Sequence, residues 1–124
     1  MSLYTITVTE RSSGQYTATI TDETGTVVPL ASIATVQLTL YNEADGLIIN
    51  NRDAQSIMNE NDGTIDDTSG QLTWHWQPAD TPIIDTVGEP PKEAHRACFD
   101  VVFVGGGRAT HEIRMIVDNL SKIA

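Results

Sequence analysis

The residues of this sequence whose types could do chemistry are three histidines, one cysteine and a run of carboxylates. His75, His95 and His111 would make a metal set only if they converged on one ion. His95 and His111 share the apolar-facing parity of two alternating segments near the C-terminus. Pairing those segments puts His111 opposite Val101 and His95 about six residues further along, roughly 20 Å away at ~3.3 Å per residue. His75 points to the opposite side of its segment from Trp74 and Trp76. The spacing therefore predicts core-edge histidines and no metal site.

Glu60, Asp62, Asp66 and Asp67 crowd a stretch that invites a calcium reading. Aligning Gly63 with the obligatory glycine of an EF-hand loop puts Met58 at the first ligand position, so that motif fails. A solvated acidic loop is the expectation, with an irregular oxygen site as the sharper alternative. Nucleophilic catalysis finds no pattern either. Ser12-Ser13-Gly14 is a turn and lacks the Gly-x-Ser-x-Gly elbow. Cys98 has outward parity between Arg96 and Asp100 and would be a thiolate only in a cleft. Gly105-Gly106-Gly107 lacks the strand-to-helix context and lysine of a phosphate loop. No enzyme activity and no cofactor are predicted. Trp74 and Trp76 could form a sugar-stacking platform, but they share parity with Leu72, which predicts core packing.

The elements that would hold these residues are strands. Period-two alternation dominates: Tyr4, Ile6 and Val8 against threonines, then Tyr16, Ala18 and Ile20 against Thr17, Thr19 and Thr21. After Pro29 come Val36, Leu38 and Leu40, then a short strand Leu47-Ile48-Ile49, then Leu72, Trp74 and Trp76. Residues 50–61 break the period. Ala54, Ile57 and Met58 fall at helical spacing, which predicts one or two helical turns over a sandwich edge. Ala97, Phe99, Val101 and Phe103 face Ile113, Met115 and Val117 in the clearest hairpin. Parity then requires Val104 to pair with Arg108 across a three-residue loop. The fold class expected is all-β: one immunoglobulin-like antiparallel β-sandwich over residues 1–124, of about seven strands with one short helical insertion.

Composition narrows the function. The chain has 124 residues, 40% of them hydrophobic, enough for one core. Seven basic residues against seventeen acidic ones give a net charge of −10, the wrong sign for a nucleic-acid surface or an anionic membrane. With Cys98 the sole cysteine there is no internal disulfide, which favours folding in a reducing cytoplasm. The start of the chain has neither the basic region nor the apolar run of a signal peptide.

From Thr19 to Val117 a string of strand and turn motifs recurs. It runs through Asp22-Glu23-Thr24-Gly25-Thr26-Val27-Val28-Pro29-Leu30 and Ala34-Thr35-Val36-Gln37-Leu38-Thr39-Leu40. It continues with Gly70-Gln71-Leu72-Thr73-Trp74-His75-Trp76, Pro78-Ala79-Asp80-Thr81 and His95-Arg96-Ala97-Cys98-Phe99-Asp100-Val101-Val102-Phe103, and ends at Met115-Ile116-Val117. This pattern resembles the small immunoglobulin-like domains of tailed-bacteriophage virion proteins, including the N-terminal domains of upper-baseplate proteins. The resemblance implies a non-enzymatic structural subunit of the virion, assembled in the host cytoplasm. It would join other virion proteins, and copies of itself, by protein–protein contacts. Upper-baseplate proteins carry a further domain after the sandwich, and this sequence stops at Ala124. A capsid-decoration, neck or tail-attachment role is therefore expected at least as much as a baseplate one.

Two long insertions are the expected contact surfaces. Residues 77–93 hold four of the five prolines and an apolar pair with no evident place in a sheet, so Pro82, Ile83 and Ile84 are predicted partner-binding residues. Glu60, Asp62, Asp66 and Asp67 are predicted to form the second. Replacing residues 77–93 by a short turn is expected to leave a folded domain that no longer assembles. The rival expectation is a carbohydrate- or cell-surface-binding β-sandwich module, which needs an exposed Trp or Tyr.

Overall fold

The computed structural model describes residues 3–22, 24–85, 88 and 90–120. Glu23 of the first turn, and Thr86, Val87 and Glu89 of the proline-rich loop, lie outside the described residues. Eight strands form two sheets: β1 (Leu3–Thr9), β2 (Gly14–Thr19), β3 (Ile33–Asn42), β4 (Gln55–Ser56), β5 (Gly63–Ile65), β6 (Gln71–Trp76), β7 (Lys92–Phe103) and β8 (Arg108–Asp118). One sheet has the order β1-β8-β7-β3-β4 and the other β2-β6-β5. Strands two, five and six face strands three, seven and eight, which is the division of an immunoglobulin-type sandwich. The sheets are antiparallel with one correction: β1 runs parallel to β8, from Leu3 beside Glu112 to Thr9 beside Asp118.

Alternation places the core as expected. Val36, Leu38, Leu40, Ala97, Phe99, Val101, Ile113, Met115 and Val117 are buried from the larger sheet, and Leu72, Trp74 and Trp76 from the smaller. Trp74 meets Phe99 edge-on across the gap, ring centroids 5.8 Å apart, and this pair ties the sheets together. Trp76 lies over the backbone of its β2 partner Gly14, where any Cβ would collide with the indole. In β3 the register with β7 shifts between Ile33 and Thr35, so Ile33 and Val36 both face inward despite opposite parity.

The β7–β8 hairpin keeps its predicted face but not its predicted register. Val102, rather than Val104, opposes Arg108, a shift of two positions that leaves parity intact. The loop is residues 104–106. Gly106 N–H donates to the Phe103 carbonyl, Phe103 N–H donates to the Gly107 carbonyl, and Gly106 holds φ at +96°. Glycine tolerates that angle and a side chain does not, which decides where the chain turns.

Two further expectations fail. Among the described residues there is no α-helix; the helical turns are 3-10, at Leu30–Ser32 and Pro78–Asp80. Residues 50–62 instead pass through six left-handed positions, at Asn50, Asn51, Ala54, Asn59, Asn61 and Asp62. Five of the six are Asn or Asp, the residues that best tolerate this region, and such a run cannot propagate a right-handed helix. The Leu47–Ile49 run makes only an isolated bridge, Ile48 to Tyr41, rather than a strand.

Candidate functional site

The histidines stay apart. His111 opposes Phe99 and His95 opposes Met115, four positions along the hairpin and about 13 Å away at ~3.3 Å per residue. His111 is half-buried, stacks on Tyr16 and hydrogen-bonds its hydroxyl through Nε2, and burial lowers its pKa. His75 is exposed. Cys98 is half-buried on the outer face, where desolvation first and Glu112 second raise its pKa, which disfavours the thiolate. Among the described residues, no three His, Cys, Asp or Glu side chains come together as a metal site. Trp74 and Trp76 are buried, so neither presents a face for a sugar. Tyr4, at the β1 edge beside Tyr16, is 55% exposed.

The acidic stretch does not form one cluster. β5 separates Asp62, before Gly63, from Asp66 and Asp67, after Ile65. Glu60 accepts from the Ser56 hydroxyl, and Asp62 pairs with Arg52 at 2.9 Å. Asp66 accepts from the backbone N–H groups of Ser69 and Thr68, which draw its pKa down to about 2. Asp67 is exposed, and its carbonyl receives the Leu30 N–H.

Arg52, absent from the sequence-based site, organises this region. It is buried, and its Nε and Nη2 fork onto the fully buried Asp80 at 2.6 and 3.0 Å. Nη1 reaches Gln55 and the Asn61 carbonyl, and the guanidinium lies 5.7 Å from the Trp74 ring centroid. Asp80 also accepts from Asn50 and from the Gln77 backbone. Each charge at this hub is matched by an opposite charge or a hydrogen bond, the condition under which buried ions are tolerated.

This alters the reading of residues 77–93. Asp80 is the counter-ion of Arg52, and Thr81 is stitched to the β1–β2 turn through bonds with Arg11 and Ser12. Ile83 and Ile84 are half-buried against the core rather than free of it, and Pro82 is half-buried beside them. The Ile84 and Asp85 N–H groups donate to the Glu93 carboxylate at 2.8 and 3.0 Å. Deleting the loop would strand Arg52 without its partner, so the expectation of a folded deletion variant is withdrawn.

Those clamps shape the groove that best fits a working surface. A space of about 610 Å³ opens at the sandwich end, between the turn after β3 and the loop before β7. Asn42, Glu93 and Ala94 line it from the strands, Asp45 and Leu47 from the turn, Ile84 and Asp85 from the loop. The turn is set by Gly46, at φ +77°, donating to the Asn42 carbonyl, and by Asp45 accepting from the Leu47 N–H. Leu47 is 56% exposed and the adjacent Ile48 is exposed as well.

Beneath the groove lies a polar layer. Asn42 continues the inward positions of Leu38 and Leu40, and Glu93 and His95 continue those of Ala97 and Phe99. His95 Nε2 meets Glu93 at 2.7 Å. Among the described residues, Asn42 Oδ1 and His95 Nδ1 are buried without hydrogen-bond partners, as are the Nε1 atoms of Trp74 and Trp76 in the core. An unmatched buried polar group costs about 1–3 kcal/mol, so its presence calls for an explanation. Extending the β3 and β7 alternation toward the sandwich end would have picked out all three residues as inward and polar. On the outer face Glu43 is held by Arg114 and Arg96 at 2.7 and 2.8 Å, which lowers its pKa to about 2.

Of the predicted partner residues, the groove gathers Ile84 alone; Pro82 and Ile83 sit beside it, and the four acidic ones lie elsewhere. No protein-family model matches this chain, and no curated protein matches it.

Proposed function

We propose that this domain is a non-enzymatic structural subunit of a tailed-phage particle, a capsid-decoration, neck or tail/baseplate component that works by protein–protein assembly. The observation that carries the assembly part is the groove between residues 42–47 on one side and residues 84, 85 and 90–94 on the other. Its exposed Leu47, the exposed Ile48 beside it and half-buried Ile84 form an apolar flank under an acidic rim. Such a flank is what a partner would cover, and a sandwich whose other buried charges are internally matched can serve as the scaffold. The phage part rests on the resemblance of the motifs from Thr19 to Val117.

The test is compositional. Particles purified from the source of this sequence should contain the chain at a fixed copy number by quantitative mass spectrometry. Leu47→Asp should remove it from particles while the isolated domain stays folded. Absence of the wild-type chain from washed particles would overturn the reading. A carbohydrate- or surface-binding module is the second reading, favoured by exposed Tyr4 beside Tyr16. It requires glycan binding that Tyr4→Ala abolishes.

A further inference from the structure

We infer that the groove receives a basic side chain, a lysine or arginine presented by a different protein of the assembly; this rests on the assembly reading above and names the chemistry of the partner. Three independent features converge on a cation with a long apolar stem.

The first is the unmatched acceptor. Asn42 lines the groove, is only 3% exposed, and its Oδ1 has no donor. An amide oxygen accepts and cannot donate, so the missing group is an N–H or O–H donor. The second is the sign of the rim. Glu43, Asp45, Asp85 and Glu93 line the groove against one cation, Lys92, which is drawn off to Asp118 at 2.6 Å. Glu43 is engaged by two arginines, and Glu93 by two backbone N–H groups and His95. Among the described residues, Asp45 and Asp85 each accept a single backbone N–H, from Leu47 and Gly88, and keep acceptor capacity for a guest. The third is the apolar flank. Leu47 and Ile84 offer the surface along which a lysine or arginine stem packs while its head reaches the polar floor.

A bare metal ion is the poorer guest, because among the described residues no three metal-ligating side chains converge. A second copy of this chain is poorer as well. Arg96, Arg108, Arg114 and Lys92 are ion-paired within the chain and Arg52 is buried, so among the described residues Arg11 is the exposed cation left without an ion pair. The net charge of −10 opposes self-association and steers a basic partner inward.

The test uses the intact chain and three probes: acetyl-Gly-Ala-Arg-Ala-Gly-amide and its lysine and norleucine counterparts, followed by amide NMR. Arginine and lysine peptides should shift the Asn42 side-chain amide and the backbone signals of residues 43–47, 84, 85 and 92–94. The norleucine peptide should not. Binding should weaken about fivefold or more in Asp45→Asn/Asp85→Asn, whose spectrum elsewhere reports an intact fold, and should weaken with salt. Asn42→Ala should weaken it further. Equal shifts from the norleucine peptide, shifts confined to other surfaces, or displacement of the same signals by calcium alone would overturn the inference. So would self-association abolished by Arg11→Glu. Presence of the chain in particles with no response to these peptides would leave the assembly reading standing and remove this one.

Discussion

Around Arg52 the carboxylates of Asp80 and Asp62 are spent on a buried guanidinium, with Asn50, Gln55 and Gln77 filling the remaining positions. At the groove, less than one strand's length away, Asn42 Oδ1 and His95 Nδ1 are buried with nothing to meet them, and Asp45 and Asp85 face an open rim. Both regions set acidic side chains beside buried polar groups of one sandwich, and composition does not tell them apart. Matching of the charged groups does. Around Arg52 each charge has its partner, and what stays unmatched there are the Nε1 donors of Trp74 and Trp76 in the core; at the groove the unmatched group is an acceptor, Asn42 Oδ1, under an acidic rim.

The two regions should differ most at Asp80. Asp80→Asn leaves the buried Arg52 with the partly exposed Asp62 as its remaining counter-ion and should cost about 3–5 kcal/mol in urea unfolding. A loss below ~1 kcal/mol would mean that the hub is not structural. Asn42→Leu is the opposite experiment. It removes an unmatched acceptor and should raise stability by about 1 kcal/mol, read as a higher urea midpoint at unchanged slope. A loss comparable to that of Asp80→Asn would erase the contrast between the two regions.

Glu43 should have a smaller effect, because it borders the groove but is held by Arg114 and Arg96 on the outer face. Its pKa is lowered from 4.5 to about 2 by Arg114 and Arg96. The folded state therefore binds this proton less readily than the unfolded state. The resulting stability is complete above pH 4.5 and is lost as pH falls toward 2. Glu43→Gln should remove that part of the acid dependence and cost about 0.5–1 kcal/mol at neutral pH, since the pairs are partly solvated. An acid-unfolding curve superimposable on wild type would show that the two arginines gain nothing from it.

Much of the sandwich was legible in the chain. The alternation of Leu72, Trp74 and Trp76, and of the β7 and β8 segments, predicted their burial correctly. Periodicity misled where it was weakest. Ala54, Ile57 and Met58 have helical spacing, but the Asn and Asp residues among them took left-handed angles and turned the chain instead. The candidate site was legible only in part, because Ile84 lies at the groove while its acidic neighbours in sequence do not.

What the order of residues settles is local. Side-chain direction alternates with every residue of a strand, so the face each apolar residue takes, and hence the class of fold, can be read without coordinates. Register, partnership and closure are not local. The hairpin slipped by two positions at no cost in parity, because the glycine turn chose its own site. Arg52 found Asp80, 28 positions further along the chain. Asn42 came to lie opposite His95 because β3 and β7 pair, and the empty acceptor under the groove exists because that pairing closes the core with two polar residues at its end. Contacts of that kind depend on which segments meet in space, and no spacing along the chain encodes them.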